Sequence, residues 1–266
     1  MNFHSKASIV LILLCSCFLS VTANAGRGKD IFEAIDVQNQ GFENWDYNQD
    51  LILTNSMGKE SLRVMRVLSL EGKDEQGDKT LVVFRKPKDS KGISLLTHSV
   101  KGDDDQQWMY LPNLKRVKRI APGGKKSRFV GSEFTFEDVA SLASRDVEDY
   151  SYKFIQDNVL NGTPVHEVDV TPLSPKSGYS HQIASIDRKN LYILKIDLYD
   201  KRGRLAKTLS FEDYRLYLDK YWRPHTTRMV NHLTSKKSRL VVSGNYDFNT
   251  ELSEQDFSKG KLGRIR

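Results

Sequence analysis

Cysteine is almost absent from this chain: of 266 residues only Cys15 and Cys17 carry a thiol. Both fall in an N-terminal stretch with the marks of a secretory leader. Lys6 supplies a small basic region, Ile9 to Leu14 and Phe18 to Val21 a short apolar core, and Ala23-Asn24-Ala25 a small-residue cleavage signal. Residues 1–25 are therefore expected to be a signal peptide cleaved before Gly26, and the mature chain has neither a disulfide nor a thiol nucleophile. A competing arrangement makes Leu14-Cys15-Ser16-Cys17 a lipoprotein box acylated on Cys17, with a very short apolar core before it. A long hydrophobic run is also missing. The leader's apolar stretch is interrupted by Cys15, Ser16 and Ser20, whereas a helix crossing a bilayer needs about 20 apolar residues. These features predict export to a periplasm, with residues 26–266 forming one domain.

Signatures of catalysis are equally sparse. Gly131-Ser132-Glu133 is not a G-x-S-x-G elbow, and no histidine is placed by sequence to serve Ser132. His98, His166, His181, His225 and His232 occur singly, without H-E-x-x-H or H-x-H spacing, so zinc is not expected. Asp103-Asp104-Asp105 follows Gly102 but lacks the spacing and distal Glu of a calcium loop, and reads as a solvated acidic turn. Pro122-Gly123-Gly124-Lys125-Lys126-Ser127 lacks phosphate-loop spacing and reads as a basic loop. No enzyme activity, metal or cofactor is expected. Net charge is +7, falling to +6 when the leader takes Lys6 with it. That mild basicity suits an anionic membrane surface or acidic partner and, in an exported protein, does not call for nucleic acid.

What the chain does have is period-two alternation. Ile31, Ala34, Ile35 and Val37 are spaced for an N-terminal helix over Lys29 to Val37. Beyond it Trp45, Tyr47, Leu51 and Leu53 alternate, as do Leu62, Val64, Leu68 and Leu70 with Arg66 between, and Leu81 and Val83 with Arg85. The pattern returns at Val165 to Thr171, Leu191 to Tyr199, Leu205 to Phe211, Trp222 to Val230 and Arg239 to Tyr246. Short polar links such as Asn55-Ser56-Met57-Gly58 and Lys201-Arg202-Gly203-Arg204 imply antiparallel hairpins. Between the halves, Phe134 to Leu142 is suited to a short helix. The expectation is a meander of some ten strands, mainly β with a few helices, forming a curved sheet or open barrel. Such a sheet buries one face beneath its helices, and incomplete cover leaves an apolar hollow.

The strongest local feature is Trp108-Met109-Tyr110-Leu111-Pro112-Asn113-Leu114-Lys115-Arg116-Val117-Lys118-Arg119-Ile120, two strands about a Pro-Asn turn with Trp108 and Tyr110 on one face. It is either an aromatic hairpin with a solvated basic face or part of a ligand cavity with cations at its rim. Phe129, Phe134 and Phe136 cluster nearby as core touching the cavity, or as its movable cover. Candidate cavity residues are thus Met65, Val83, Phe84, Trp108, Tyr110, Phe129, Phe134 and Phe136, with Arg85, Arg116, Lys118 and Arg119 as the basic rim. Alternation alone does not say which set of side chains points inward.

At these residues the chain resembles the periplasmic outer-membrane lipoprotein-sorting proteins of the LolA/LolB-like superfamily. The likeness is carried by Phe84-Arg85-Lys86-Pro87, the Trp108-Met109-Tyr110-Leu111-Pro112 hairpin with Arg116-Val117-Lys118-Arg119, Phe129-Val130-Gly131-Ser132-Glu133-Phe134-Thr135-Phe136-Glu137-Asp138, and Tyr221-Trp222-Arg223-Pro224. The resemblance implies an open antiparallel β-barrel capped by helices, whose hollow takes up a lipid or the acyl chains of a lipoprotein. The branch carrying the Phe-x-Gly-Ser-x-Phe-Thr-Phe-Glu-Asp pattern further implies partnership with an inner-membrane transporter of the RND or MMPL type. A transporter adaptor without its own ligand is the alternative.

Overall fold

A computed structural model describes residues 19–73, 76–248 and 250–264, with side chains from Gly26 onward. Residues 1–18 of the expected leader lie outside the described residues, and the expected cleavage point falls within the first helix. The described residues contain no helix long and apolar enough to cross a membrane.

Helix α1 (Leu19–Asn39) leads into six strands, β1 (Asn44–Thr54), β2 (Glu60–Leu70), β3 (Lys79–Lys86), β4 (Ser94–His98), β5 (Gln106–Leu111) and β6 (Arg116–Ile120). After a linker containing helix α2 (Phe136–Ala143), seven more follow: β7 (Tyr150–Leu160), β8 (Thr163–Pro172), β9 (Tyr179–Asp187), β10 (Ile193–Asp200), β11 (Leu205–Tyr217), β12 (Tyr221–Asn231) and β13 (Lys237–Asp247). The alternating segments all form strands, and the total is thirteen rather than about ten. Within each half, consecutive strands pair as hairpins, as their short polar links require.

The halves join into one antiparallel sheet because β1 pairs with β13, with Leu51 opposite Leu240. The sheet's two edges are therefore β6 and β7, which are neighbours in sequence but do not pair. The barrel stays open at this seam, and the linker from Ala121 to Asp149 must cross it. Helix α1 covers the β7 edge. Gly28 permits the approach, since a Cβ there would sit 2.9 Å from the Phe154 backbone nitrogen. The guanidinium of Arg27 lies 3.7 Å over the Phe154 ring and pairs with Asp157 at 3.1 Å, while Phe32 packs on Tyr152 at 4.6 Å.

Two apolar cores result, one on each face. The concave face gathers Leu51, Met65, Val67, Val82, Leu95, Ile186, Leu209 and Met229 with Phe129 and Phe134 from the linker. The convex face of β2–β5 carries Leu68, Leu81, Val83, Leu96 and Trp108, covered by Phe257 and Leu262 of the C-terminal tail. Polar bonds fix the tail: His98 Nε2 meets the Phe257 carbonyl at 2.8 Å, and Ser94 Oγ donates to the Leu262 carbonyl at 3.0 Å. An ion pair joins Lys79 to Glu254.

Candidate functional site

The linker forms a strap across the open side of the barrel. Its turn depends on two left-handed residues, Val130 (φ 45°) and Gly131 (φ 76°), followed by Ser132, whose buried Oγ donates to the Phe129 carbonyl at 2.7 Å. Glu133 is buried, accepts from Asn231 Nδ2 at 2.7 Å and is paired with Arg128; its backbone nitrogen donates to Ser238 Oγ at 2.9 Å. These bonds tie the strap to the β12 and β13 side. Thr135 then caps α2: Asp138 N donates to Thr135 Oγ1 at 3.1 Å, and Thr135 N donates to Asp138 Oδ2 at 2.7 Å. Asp138 also accepts from Tyr179 OH at 2.8 Å and Lys207 Nζ at 3.0 Å, and Glu137 accepts from Ser177 Oγ and from Gly178 N at 2.8 Å. The polar residues of the Phe-x-Gly-Ser-x-Phe-Thr-Phe-Glu-Asp run are thus fastenings, and Phe129 and Phe134 are the apolar groups they press into the barrel.

Between strap, α1 and concave sheet lies a hollow of about 650 Å³, within the range of small-molecule cavities. Its floor is apolar, with Met65, Val67, Val82, Ile196, Leu198 and Leu209 among its residues. One side of its mouth is aromatic: Tyr192 stacks on Tyr214 at 4.0 Å and lies 5.5 Å from Trp222, while Tyr47 lies 4.2 Å from Tyr246. Burial pushes the Tyr47 hydroxyl up to about 12. Another side is acidic, drawing Asp36, Asp78, Asp105, Glu137, Asp146 and Asp149 to the wall, with Arg145 and Lys101 among them. Burial raises the carboxyls of Asp36, Asp78, Asp105 and Glu137. Burial, then Asp146 and Asp105, pushes Asp149 up to about 6.

The structure divides the candidate cavity residues. Met65, Phe129 and Phe134 line the hollow. Phe84 and Phe136 share the concave core and pack behind Phe129, at 5.6 and 5.8 Å. Val83, Trp108 and Tyr110 do not converge with them: they face the convex side, where Lys259 sits 4.4 Å over the Trp108 ring and Gly263 abuts Tyr110. The reason is register. Leu81 and Val83 alternate with Val82 and Phe84, and both sets are apolar because both faces are covered. The basic rim is corrected too. Arg116, Lys118 and Arg119 are exposed on edge strand β6, Arg85 is half-buried near Arg66 and Asp46, and none lines the hollow.

Sequence reasoning missed a cation on the aromatic side of the mouth. Arg223 is 8% exposed, its guanidinium 4.5 Å over the Trp45 ring and 5.4 Å over the Tyr221 ring. Its place in Tyr221-Trp222-Arg223-Pro224 was visible, but as a strand residue it carried no signal of burial. The histidines are engaged separately: His166 meets Asp157, His225 meets Tyr217 OH at 2.7 Å, and His181 stacks on Tyr199 at 4.4 Å. Among the described residues no three of His, Cys, Asp and Glu are grouped to hold a metal ion.

Comparison with known proteins places this architecture. A family model described as an uncharacterized protein matches residues 76–264. A structure from Vibrio parahaemolyticus, described as an outer membrane lipoprotein-sorting protein domain, is 40% identical over 91% of this chain and all of its own, with a TM-score of 0.86. A DUF1329 family protein from Desulfovibrio piger is 26% identical over 90% of this chain and 99% of its own, with a TM-score of 0.83. A LolA superfamily protein from Nitrosomonas europaea, 19% identical over 88% of this chain and 98% of its own, shares the fold with a TM-score of 0.68. No curated protein matches. The fold is that of a LolA-like open barrel. The chain belongs to the outer-membrane lipoprotein-sorting family.

Proposed function

We propose that this protein is a non-catalytic periplasmic carrier that holds a lipid, or the acyl chains of a lipoprotein, in the hollow between sheet, α1 and strap. The observation that carries the reading is the apolar floor of a cavity of about 650 Å³, in a fold shared with a protein described as lipoprotein-sorting. Each methylene moved from water into such a cavity contributes about 0.8 kcal/mol, so half a dozen supply roughly 5 kcal/mol before ordering costs are deducted. The cleavage signal before Gly26 supports export as a free periplasmic protein. The exposed basic strand β6, with Arg116, Lys118 and Arg119, supports transient contact with an anionic membrane surface or with an inner-membrane transporter of the RND or MMPL type.

Organic extraction of protein purified from a periplasm, analysed by mass spectrometry, tests the reading. Stoichiometric lipid is expected. Its absence, with the hollow occupied only by water, would replace the carrier by a transporter-associated adaptor without its own ligand.

A further inference from the structure

Resting on the carrier reading, the hollow also bears on the chemistry of the cargo's headgroup. Arg223 is buried at its mouth, yet among the described residues it makes no ion pair. Its Nη1 donates to Asn39 Oδ1 at 2.5 Å and to the Trp222 carbonyl at 3.0 Å, and its Nε is buried without any hydrogen-bond partner. Glu71, which lines the same hollow, spends one oxygen on Gly41 N at 2.6 Å and the other on Glu43 N at 2.9 Å. Around the guanidinium stand aromatic rings: Trp45, Tyr47, Tyr214, Tyr221 and Tyr246.

A guanidinium taken out of water without a counter-charge is costly, and stacking on aromatic rings offsets only part of that cost. The fork-shaped donor pattern of Arg matches a carboxylate or phosphate oxygen pair. An acyl chain on the apolar floor would bring its first polar group to this end. We propose that Arg223 is the headgroup site of the hollow and that the cargo is an acyl chain bearing an anion, either a carboxylate or a phosphodiester. The lipid-modified cysteine of a lipoprotein, joined to its chains through ester, amide and thioether groups, is uncharged at that position. The site therefore favours a free anionic amphiphile over lipoprotein acyl chains.

Displacement of a neutral fluorescent acyl probe by two matched pairs tests this: oleate against oleyl alcohol, and oleoyl lysophosphatidylglycerol against monooleoylglycerol. In wild type the anionic member of at least one pair should bind about tenfold or more tighter than its neutral partner, and the pair that shows the difference identifies carboxylate or phosphodiester. Arg223→Gln should bring the ratio to near one. If Arg223→Gln does not fold, Arg223→Lys serves, and should lower the ratio severalfold. Equal binding of anionic and neutral members by wild type would overturn the headgroup assignment while leaving the carrier reading intact. So would a preference for anions unchanged in either variant. Binding of none of the four would overturn both.

Discussion

Lys207 on β11 and Asp138 on the strap helix α2 form a buried ion pair at 3.0 Å, and Tyr179 OH completes a triangle, 2.8 Å from one carboxylate oxygen and 3.0 Å from the ammonium. Because the same carboxylate caps α2 through Thr135, this pair decides how firmly the strap lies on the barrel. Removing one partner leaves a charge buried without compensation. Lys207→Met is expected to lower unfolding free energy by about 3–5 kcal/mol, read by urea denaturation. Lys207→Met combined with Asp138→Asn should recover part of that loss. A single variant as stable as wild type would show that this ion pair does not hold the strap to the barrel.

The acidic wall sets a pH dependence. Asp149 rises from its ordinary value of 3.8 to about 6 in the folded chain, so between about pH 4 and pH 6 the native state binds more protons than the unfolded one. Its contribution to stability is present below that window and is lost as pH rises through it. Asp149→Asn should therefore melt higher than wild type at about pH 7.5 and show a flatter profile between about pH 4 and 6. Identical melting profiles would contradict the assignment.

Phe257, the tail residue packed on the convex face, is 1% exposed. Truncation to alanine should cost about 3–5 kcal/mol and leave acyl binding at the concave hollow unchanged at temperatures where the variant is folded. Loss of binding in a folded Phe257→Ala protein would mean that the two faces communicate.

Much of this architecture is legible in the sequence. Alternation at Val165 to Thr171 or Trp222 to Val230 survives because one face of each strand is buried and the other is at least partly wet, as the strictly alternating burial of β12 illustrates. In β3 the signal fails, since Thr80 to Phe84 are all buried and two covered faces leave no polar face to read. On β5 the neighbours Gln107 and Trp108 are likewise both buried, on opposite faces, so alternation does not place Trp108 on the convex side. Its cover, the tail of residues 250–264, offers only Leu252, Phe257 and Leu262 as apolar markers and no periodicity. The β1 to β13 pairing joins residues far apart in the chain, and no local rule signals it. Arg223 escaped notice for a related reason: a basic residue in a strand reads as exposed until the aromatic rings around it are known.

An acyl chain bound in the concave hollow has tryptophan reporters beside it, because Trp45 and Trp222 line the hollow where Trp108 does not. Titration of a fluorescent fatty-acyl probe against wild type and against Val67→Trp, which fills the floor, tests that binding most directly. Saturable binding by wild type at about micromolar concentration is expected, with a shift in tryptophan emission that persists in Trp108→Phe. Binding should be lost in folded Val67→Trp. Absence of saturable binding in wild type, or undiminished binding in Val67→Trp, would contradict it.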